Sequence, residues 1–192
     1  MRLADLLPKG LLNDDQDAIA ILEADHDKVL ELFEHFEDIK DSHAHKEKQT
    51  IVADACRELT IHTTLEEEVF YPAVRGALDD DDLMNEALVE HEGAKSLIED
   101  LEGMDAGDEM FNAKFIVLAE NVRHHIKEER NEMFPKVRAT DVDLQVLGQT
   151  MLARRDQLTS GAGKARAATK AKPAKRKTRT RAAKGETRAS SR

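Results

Sequence analysis

Apolar residues recur at steps of three and four along four long segments of the chain, at roughly 15–40, 47–76, 81–102 and 108–138. This spacing places them on one face of an α-helix, because the helix completes a turn in about 3.6 residues. A shorter fifth segment, 140–158, fits a helix as well, and short runs rich in turn residues or charge separate the segments. The pattern therefore predicts an all-α protein with four long helices and a short fifth helix.

Each of the four apolar faces contains a histidine. The inward positions of the first two helices are predicted to be Ile19, Leu22, His26, Val29, Phe33, Phe36, and Val52, Ala55, Leu59, His62, Glu66, Val69, Ala73. Those of the third and fourth are predicted to be Met84, Ala87, His91, Ala94, Ile98, Leu101, and Phe111, Phe115, Leu118, Val122, His125, Glu129. Pro72 and Pro135 follow the two glutamates at equal distance, and we expect them to bend or end their helices.

The four histidines are predicted to lie at one level. The midpoint between each successive pair falls in or beside a predicted turn, near residues 44, 76 and 108. An antiparallel hairpin brings residues that are equidistant from its turn to the same height. An antiparallel up-and-down four-helix bundle therefore gathers four imidazoles and two carboxylates in one layer. The repeat of HTTLE at 62–66 as HIKEE at 125–129 also indicates an internal pseudo-two-fold.

This layer predicts a metal centre. Burying two carboxylates among imidazoles is costly unless a cation compensates them, and the predicted inward positions include no Lys or Arg. Residues at i and i+4 share a helix face, so each His-x-x-x-Glu pair can present a nitrogen and an oxygen to one ion. Two six-coordinate iron ions with an oxo or hydroxo bridge would use this set and leave about two positions open. The predicted ligands are His26, His62, Glu66, His91, His125 and Glu129.

The other histidines are expected to be solvated or to lie beside the centre. His35 falls off the apolar face, and His43 and His45 lie in the turn far from the predicted layer. His124 and Glu67 adjoin predicted ligands but point about 100° away from them. We expect these two side chains to support a ligand or to lie at the surface.

The charge distribution divides the chain into an acidic body and a basic tail. The formal net charge is −10, yet residues 160–192 contain twelve Lys or Arg against one Glu. This segment has almost no large apolar residue and is predicted to be disordered. Non-specific association with DNA phosphates is one role for it, and solubilisation is the alternative. We therefore predict a folded domain at 1–158 and a disordered Lys/Arg/Ala-rich tail at 159–192.

The composition also bears on location. The longest apolar runs, AIAIL and FIVLA, have five residues, so we expect no membrane span. Cys56 is the only cysteine, which allows no internal disulfide and suits a reducing compartment. We expect a cytoplasmic protein.

Over roughly 15–138, the chain resembles the hemerythrin HHE cation-binding family in the order and spacing of four elements. These elements are His26, HTTLE from residue 62, His91 and HIKEE from residue 125. The resemblance implies a four-helix bundle with a non-haem di-iron centre, in which Glu66 and Glu129 match bridging carboxylates and the four histidines match terminal ligands. Oxygen-carrying hemerythrins have a further histidine four residues after the third-helix ligand, where this chain has Lys95. We therefore expect an open or exchangeable position on both irons.

The resemblance and the pattern together predict a di-iron protein that binds or senses oxygen, nitric oxide or peroxide in a stress response. A di-iron enzyme that consumes peroxide or nitric oxide is an alternative, and the sequence leaves turnover open. The pattern also resembles the HHE half of iron–sulfur-cluster repair proteins, but residues 1–14 contain no cysteine of the kind found in their N-terminal domain. A DNA-associated protein that acts through its basic tail is the last alternative.

Overall fold

A computed structural model describes residues 17–78 and 80–169 of the 192-residue chain. Within these residues the regular secondary structure is entirely helical. The helices are α1 (Ala18–Ile39), α2 (His45–Leu65), α3 (Tyr71–Leu78), α4 (Asp81–Glu102), α5 (Phe111–Glu128), α6 (Phe134–Arg138) and α7 (Leu144–Thr169). Two π-helical turns, Glu66–Phe70 and Glu129–Met133, join α2 to α3 and α5 to α6. The predicted antiparallel four-helix bundle is confirmed.

The bundle consists of two helical hairpins, because α1 packs against α2 and α4 packs against α5. An aspartate caps the first helix of each hairpin. Asp17 accepts a hydrogen bond from the Ala20 N–H at 2.8 Å, and Asp80 accepts one from the Leu83 N–H at 3.2 Å. Each cap satisfies a backbone donor that has no partner inside the helix. The two hairpins therefore begin in the same way, as an internal repeat requires.

Apolar side chains fill the bundle in two clusters, one at each end. Near the α1–α2 turn, the ring of Phe115 meets the rings of Phe33 and Phe36 edge to face, with centroids 5.6 and 4.5 Å apart. At the opposite end, Phe70 and Phe134 pack edge to face at 6.0 Å within a second buried cluster. The predicted layer of histidines and glutamates lies between these two clusters.

Each π-helical turn begins at a predicted ligand glutamate and is followed closely by a proline. In both turns, the N–H of the residue before the proline donates to the glutamate carbonyl five residues back. In a regular α-helix, a proline ring clashes with the carbonyl four residues back, and the wider π turn accommodates it. The chain remains helical through Pro72 and Pro135, which lie in α3 and α6, so neither proline ends its helix.

The extra residue in the first π turn changes which side chains face the core. The predicted inward position at Ala73 is wrong, since this residue is exposed, and Val69 is only partly buried. Phe70 and Val74 are fully buried in their place. A single inserted residue rotates the following positions by about 100°, which accounts for the shift. The other predicted inward positions of the four bundle helices are buried.

Helix α7 packs against α1, α2 and the first π turn. Within this helix, Met151 is fully buried and Leu147 nearly so. The helix is longer than the predicted fifth helix at 140–158, because it continues to Thr169 in the segment assigned to the tail. Residues 170–192 lie outside the described part of the chain, so their disorder stays a prediction. Among the described residues, no helix is both long and apolar enough to cross a membrane.

Candidate metal centre

The four helices of the bundle each contribute one histidine to a buried layer. His26 comes from α1, His62 from α2, His91 from α4 and His125 from α5. These four residues are between 2% and 6% exposed. The level predicted from the turn midpoints is therefore the level at which the structure brings them together.

Two histidines from the first hairpin form one side of the centre. The Nε2 atoms of His26 and His62 lie 3.2 Å apart. His26 Nε2 is 3.1 Å from Glu129 Oε2, and His62 Nε2 is 3.2 Å from Glu66 Oε2. We call this set the His26/His62 position.

Two histidines from the second hairpin form the other side. The Nε2 atoms of His91 and His125 also lie 3.2 Å apart. His91 Nε2 is 3.3 Å from Glu66 Oε2, and His125 Nε2 is 3.4 Å from Glu129 Oε2. We call this set the His91/His125 position. Oε2 of each glutamate therefore lies close to one histidine of each position, so either carboxylate could be shared between two ions.

Three of the four glutamate oxygens lack hydrogen-bond partners among the described residues. Both oxygens of Glu66 and Oε2 of Glu129 are buried and unpaired. Leaving such groups unpaired costs several kcal/mol in a low-dielectric interior. A cation between the oxygens and the imidazole nitrogens would compensate them, and mixed imidazole and carboxylate donors suit iron, manganese or zinc. The six side chains thus fit a pair of such ions.

Burial and mutual contact shift the ionisation of these groups. Burial, followed by the charge of Glu129, raises the pKa of Glu66 well above its usual value. Burial opposes ionisation of Glu129 as well, but the charge of His125 and the hydrogen-bonding contact with His26 outweigh it and lower its pKa. Two adjacent carboxyl groups cannot both ionise freely, because their negative charges repel. Glu66 therefore favours the protonated form and Glu129 the ionised form.

The pKa values of the histidines also shift in different directions. Burial lowers the pKa of His26 and of His91 to about 4, because the charged imidazolium loses its hydration. For His125, burial also favours the neutral form, but the charges of Glu129 and Glu90 outweigh it and raise the pKa. His26 and His91 are consequently neutral near pH 7, which is the form that binds a metal ion.

A tyrosine that the sequence analysis did not predict completes the layer. The Tyr71 hydroxyl donates a hydrogen bond to Glu129 Oε1 at 3.0 Å, and its ring stacks on His91 at 5.6 Å. Burial raises the pKa of Tyr71 well above its usual value, so the hydroxyl remains protonated. It therefore fixes one oxygen of Glu129 and leaves the other facing the histidines.

The outer nitrogens of the four histidines in the layer face a second ring of charged residues. Of this ring, the sequence analysis named Glu67 alone and expected it to support a ligand or to lie at the surface. The structure places it 2.9 Å from His91 Nδ1. The members that sequence reasoning missed are Asp25, Glu90, Arg130 and Arg155. Three of them directly adjoin a predicted ligand in the sequence, and that adjacency is the signal that could have found them.

The remaining histidines lie outside the centre. His35, His43, His45 and His124 are exposed. Lys95, which occupies the position of the fifth histidine of oxygen carriers, points outward and binds Glu67 Oε1 at 2.6 Å. Its ammonium group therefore does not enter the layer.

A small cavity adjoins the histidines between α2, α4 and α5. Its volume is about 20 Å³, and a cavity of about 10–15 Å³ already holds one water molecule. Leu59, Ala94, Val122 and Ile126 contribute aliphatic side chains to its wall beside the three histidines. The lining residues are Leu59, His62, Thr63, Glu90, His91, Ala94, Asn121, Val122, His125 and Ile126.

A buried layer of four imidazoles and two shared carboxylates inside a four-helix bundle defines the chain as a histidine–carboxylate metal-binding protein. The family model for the hemerythrin HHE cation binding domain matches residues 17–137, and the chain belongs to this family. It is therefore a metal-binding, hemerythrin-like protein.

Two relatives extend this comparison. A hemerythrin HHE cation binding domain-containing protein from Mycobacterium kansasii has a similar fold, with a TM-score of 0.61 and 24% sequence identity over 76% of this chain and 89% of its own. A DNA nickase from Nostoc sp. is 28% identical over 118 residues, which is 62% of this chain. The present chain spans 32% of the length of that nickase, so the similarity covers about a third of it.

Proposed function

We propose that the protein holds two iron ions and uses them to bind or sense a small ligand such as oxygen, nitric oxide or peroxide. The observation that carries this proposal is the convergence of four imidazole Nε2 atoms on two buried carboxylates, three of whose four oxygens have no hydrogen-bond partner in the described part of the chain. The ions would bind at the His26/His62 and His91/His125 positions, with Glu66 and Glu129 shared between them. Bound iron would supply redox chemistry and open coordination positions.

The cavity beside the histidines supports a ligand of a few atoms. Its volume of about 20 Å³ has room for one water-sized molecule and excludes an organic substrate. Leu59, Ala94, Val122 and Ile126 make most of its wall apolar, which favours uncharged diatomic molecules. No side chain from position 95 closes the centre, because Lys95 is engaged by Glu67.

The protein matrix restricts what the centre can do. Tyr71 holds Oε1 of Glu129 with a neutral hydroxyl, so this carboxylate has a fixed orientation. The two apolar clusters above and below the layer exclude water from both ends. Both features favour reversible binding of a ligand at a rigid, dry site, and turnover as an enzyme is the alternative outcome.

The test is metal analysis of the full-length protein from iron-replete cells, with optical spectra before and after dithionite. We expect about two irons per chain and visible absorption that reduction removes. The same sample is then titrated with nitric oxide, oxygen and peroxide, and a turnover assay with peroxide separates sensing from catalysis. Protein that folds normally yet takes up no iron under these conditions would overturn the proposal.

Association with DNA is a second candidate function, and one observation favours it. Residues 160–192 concentrate twelve basic side chains behind an acidic domain, and strong positive charge attracts duplex phosphate without regard to sequence. The relative from Nostoc sp. is a DNA nickase. The basic segment would then place the metal centre close to DNA.

A further inference from the structure

The two metal positions differ in what surrounds their outer nitrogens. At the His91/His125 position, both outer nitrogens face a carboxylate. Glu67 Oε1 lies 2.9 Å from His91 Nδ1, and Glu90 Oε2 lies 2.8 Å from His125 Nδ1. A carboxylate at this distance orients the ring and makes Nε2 a stronger donor to a metal ion.

The His26/His62 position has arginines in this second ring. Asp25 Oδ2 lies 3.5 Å from His62 Nδ1, which has no hydrogen-bond partner in the described part of the chain. The same aspartate oxygen is paired with Arg155 of α7. At His26, the neighbour of Nδ1 is Arg130, whose Nε lies 3.4 Å away.

Arg130 conflicts with metal binding by His26. An imidazole that binds an ion through Nε2 carries its proton on Nδ1. A guanidinium group has only donors, so it can pair with Nδ1 only while that nitrogen is an acceptor. Its positive charge also repels an ion bound on the other side of the ring.

Arg130 is held in this orientation by other contacts. Its Nη2 donates to the Glu23 carbonyl at 2.9 Å and to Asp27 Oδ1 at 2.6 Å. Loading of His26 therefore requires the guanidinium to turn away from the ring, which weakens one of these contacts or both. That cost falls on one metal position and not on the other.

We propose that the two positions load in order, with the His91/His125 ion bound first and tightly and the His26/His62 ion bound second and exchangeably. Arg130 is the residue that sets this difference. The inference rests on the proposed two-ion centre and adds to it a one-ion state, in which the His26/His62 position is free for a second divalent cation.

The test is a titration of the metal-free, full-length protein with Mn²⁺. Calorimetry and electron paramagnetic resonance monitor the binding. One bound Mn²⁺ gives a six-line spectrum, and a neighbouring second ion alters it by magnetic coupling. We expect two steps, with the second about 10- to 100-fold weaker, the range typical of altered outer partners. Arg130→Gln supplies an acceptor for the Nδ1–H of His26. It should reduce the difference in affinity between the two steps by strengthening the second step.

Two further variants assign the steps. Arg154→Gln is the matched control, because Arg154 pairs with the exposed Glu68 and does not touch a ligand histidine, and it should leave both steps unchanged. Glu90→Gln removes a carboxylate from His125 and should weaken the first step. The variants are compared only if the circular dichroism of the metal-free variant matches that of the metal-free parent.

The ordered loading would be overturned if the parent protein bound both ions with equal affinity. It would also be overturned if Arg130→Gln left the difference in affinity between the two steps unaltered. A gap that Arg154→Gln narrows as much as Arg130→Gln would do so too, since it would reflect overall charge. A protein that binds no Mn²⁺ and no iron would instead refute the two-ion centre itself, so the two failures are distinguishable.

Discussion

The hydroxyl of Tyr71 binds Oε1 of Glu129 at 3.0 Å and so joins the first half of the internal repeat to the second. Its counterpart in the repeat is Phe134, which follows Glu129 at the spacing at which Tyr71 follows Glu66. Both rings stack on a histidine of the buried layer, but Phe134 has no hydroxyl. Glu66 Oε1 accordingly lacks the partner that Glu129 Oε1 has.

This difference predicts opposite effects for two single-atom substitutions. Tyr71→Phe removes the partner of Glu129 Oε1 and should lower the free energy of unfolding of the metal-free protein by about 1–3 kcal/mol. Phe134→Tyr offers the equivalent hydroxyl to Glu66 and should be neutral or stabilising. Urea denaturation of both variants measures the change. An equal loss of stability in both would show that the hydrogen bond is not the cause.

Loss of a shared carboxylate should affect both metal positions. Glu66→Ala removes an oxygen that lies close to histidines of either position, so we expect the metal content to fall below about one ion per chain. Glu68→Ala, on the exposed face of the same π turn, is the matched control and should keep the full content. Mass spectrometry of metals in the two purified variants decides, and equal contents would contradict the shared role of Glu66.

Filling the cavity should block small ligands and spare the metal. Ala94 lines the cavity and is 5% exposed, and Ala94→Leu adds a branched side chain there. We expect at least about a tenfold loss of nitric oxide affinity, with an overpacking cost of about 1–3 kcal/mol in stability. Optical titration of the iron-loaded variant measures this. Normal nitric oxide affinity at unchanged iron content would show that ligands enter elsewhere.

The single cysteine should be inert in the folded protein. Burial raises the pKa of Cys56 to about 12, so the reactive thiolate is scarce at pH 8. Labelling with Ellman's reagent should therefore require unfolding, with unfolded protein in guanidinium as the positive control. Rapid labelling of the native protein would contradict the buried thiol.

The same shift predicts a loss of stability at alkaline pH. The folded pKa exceeds the unfolded value of about 8.5, so the contribution of the neutral thiol is complete below about pH 8.5 and is lost as the pH rises towards 12. Cys56→Val should lose less stability than the parent between pH 8 and pH 10, as measured by urea denaturation. The same pH dependence in both proteins would assign the effect to other groups.

The basic segment should carry any affinity for DNA. Removal of residues 170–192 leaves every described helix intact and deletes most of the basic cluster. We expect retention on duplex DNA at low salt to disappear, and retention of the full chain to fall steeply as salt increases. Gel-shift assays with two unrelated duplexes test this. Equal retention of the truncated chain would refute the role of the segment.

Sequence periodicity was sufficient to predict the bundle and the convergence of the six candidate ligands, because a helical period fixes which residues share a face. It failed after Glu66, where the π turn inserts one residue and turns Ala73 outward. No periodic pattern reports such a turn, although the proline that follows each glutamate was a usable sign. Arg130 was missed for another reason, since its approach to His26 depends on the rotamer of a long side chain.

The position of the metal layer between two separate apolar clusters has a consequence for how the protein is assembled. Small zinc domains fold only around their metal, because they have no core of their own. Here each end of the bundle has its own aromatic and aliphatic packing, to which Phe134 and Tyr71 add stacking on His26 and His91. We therefore expect the scaffold to fold before any metal ion binds, so that the same molecule can be emptied of metal and refilled without unfolding.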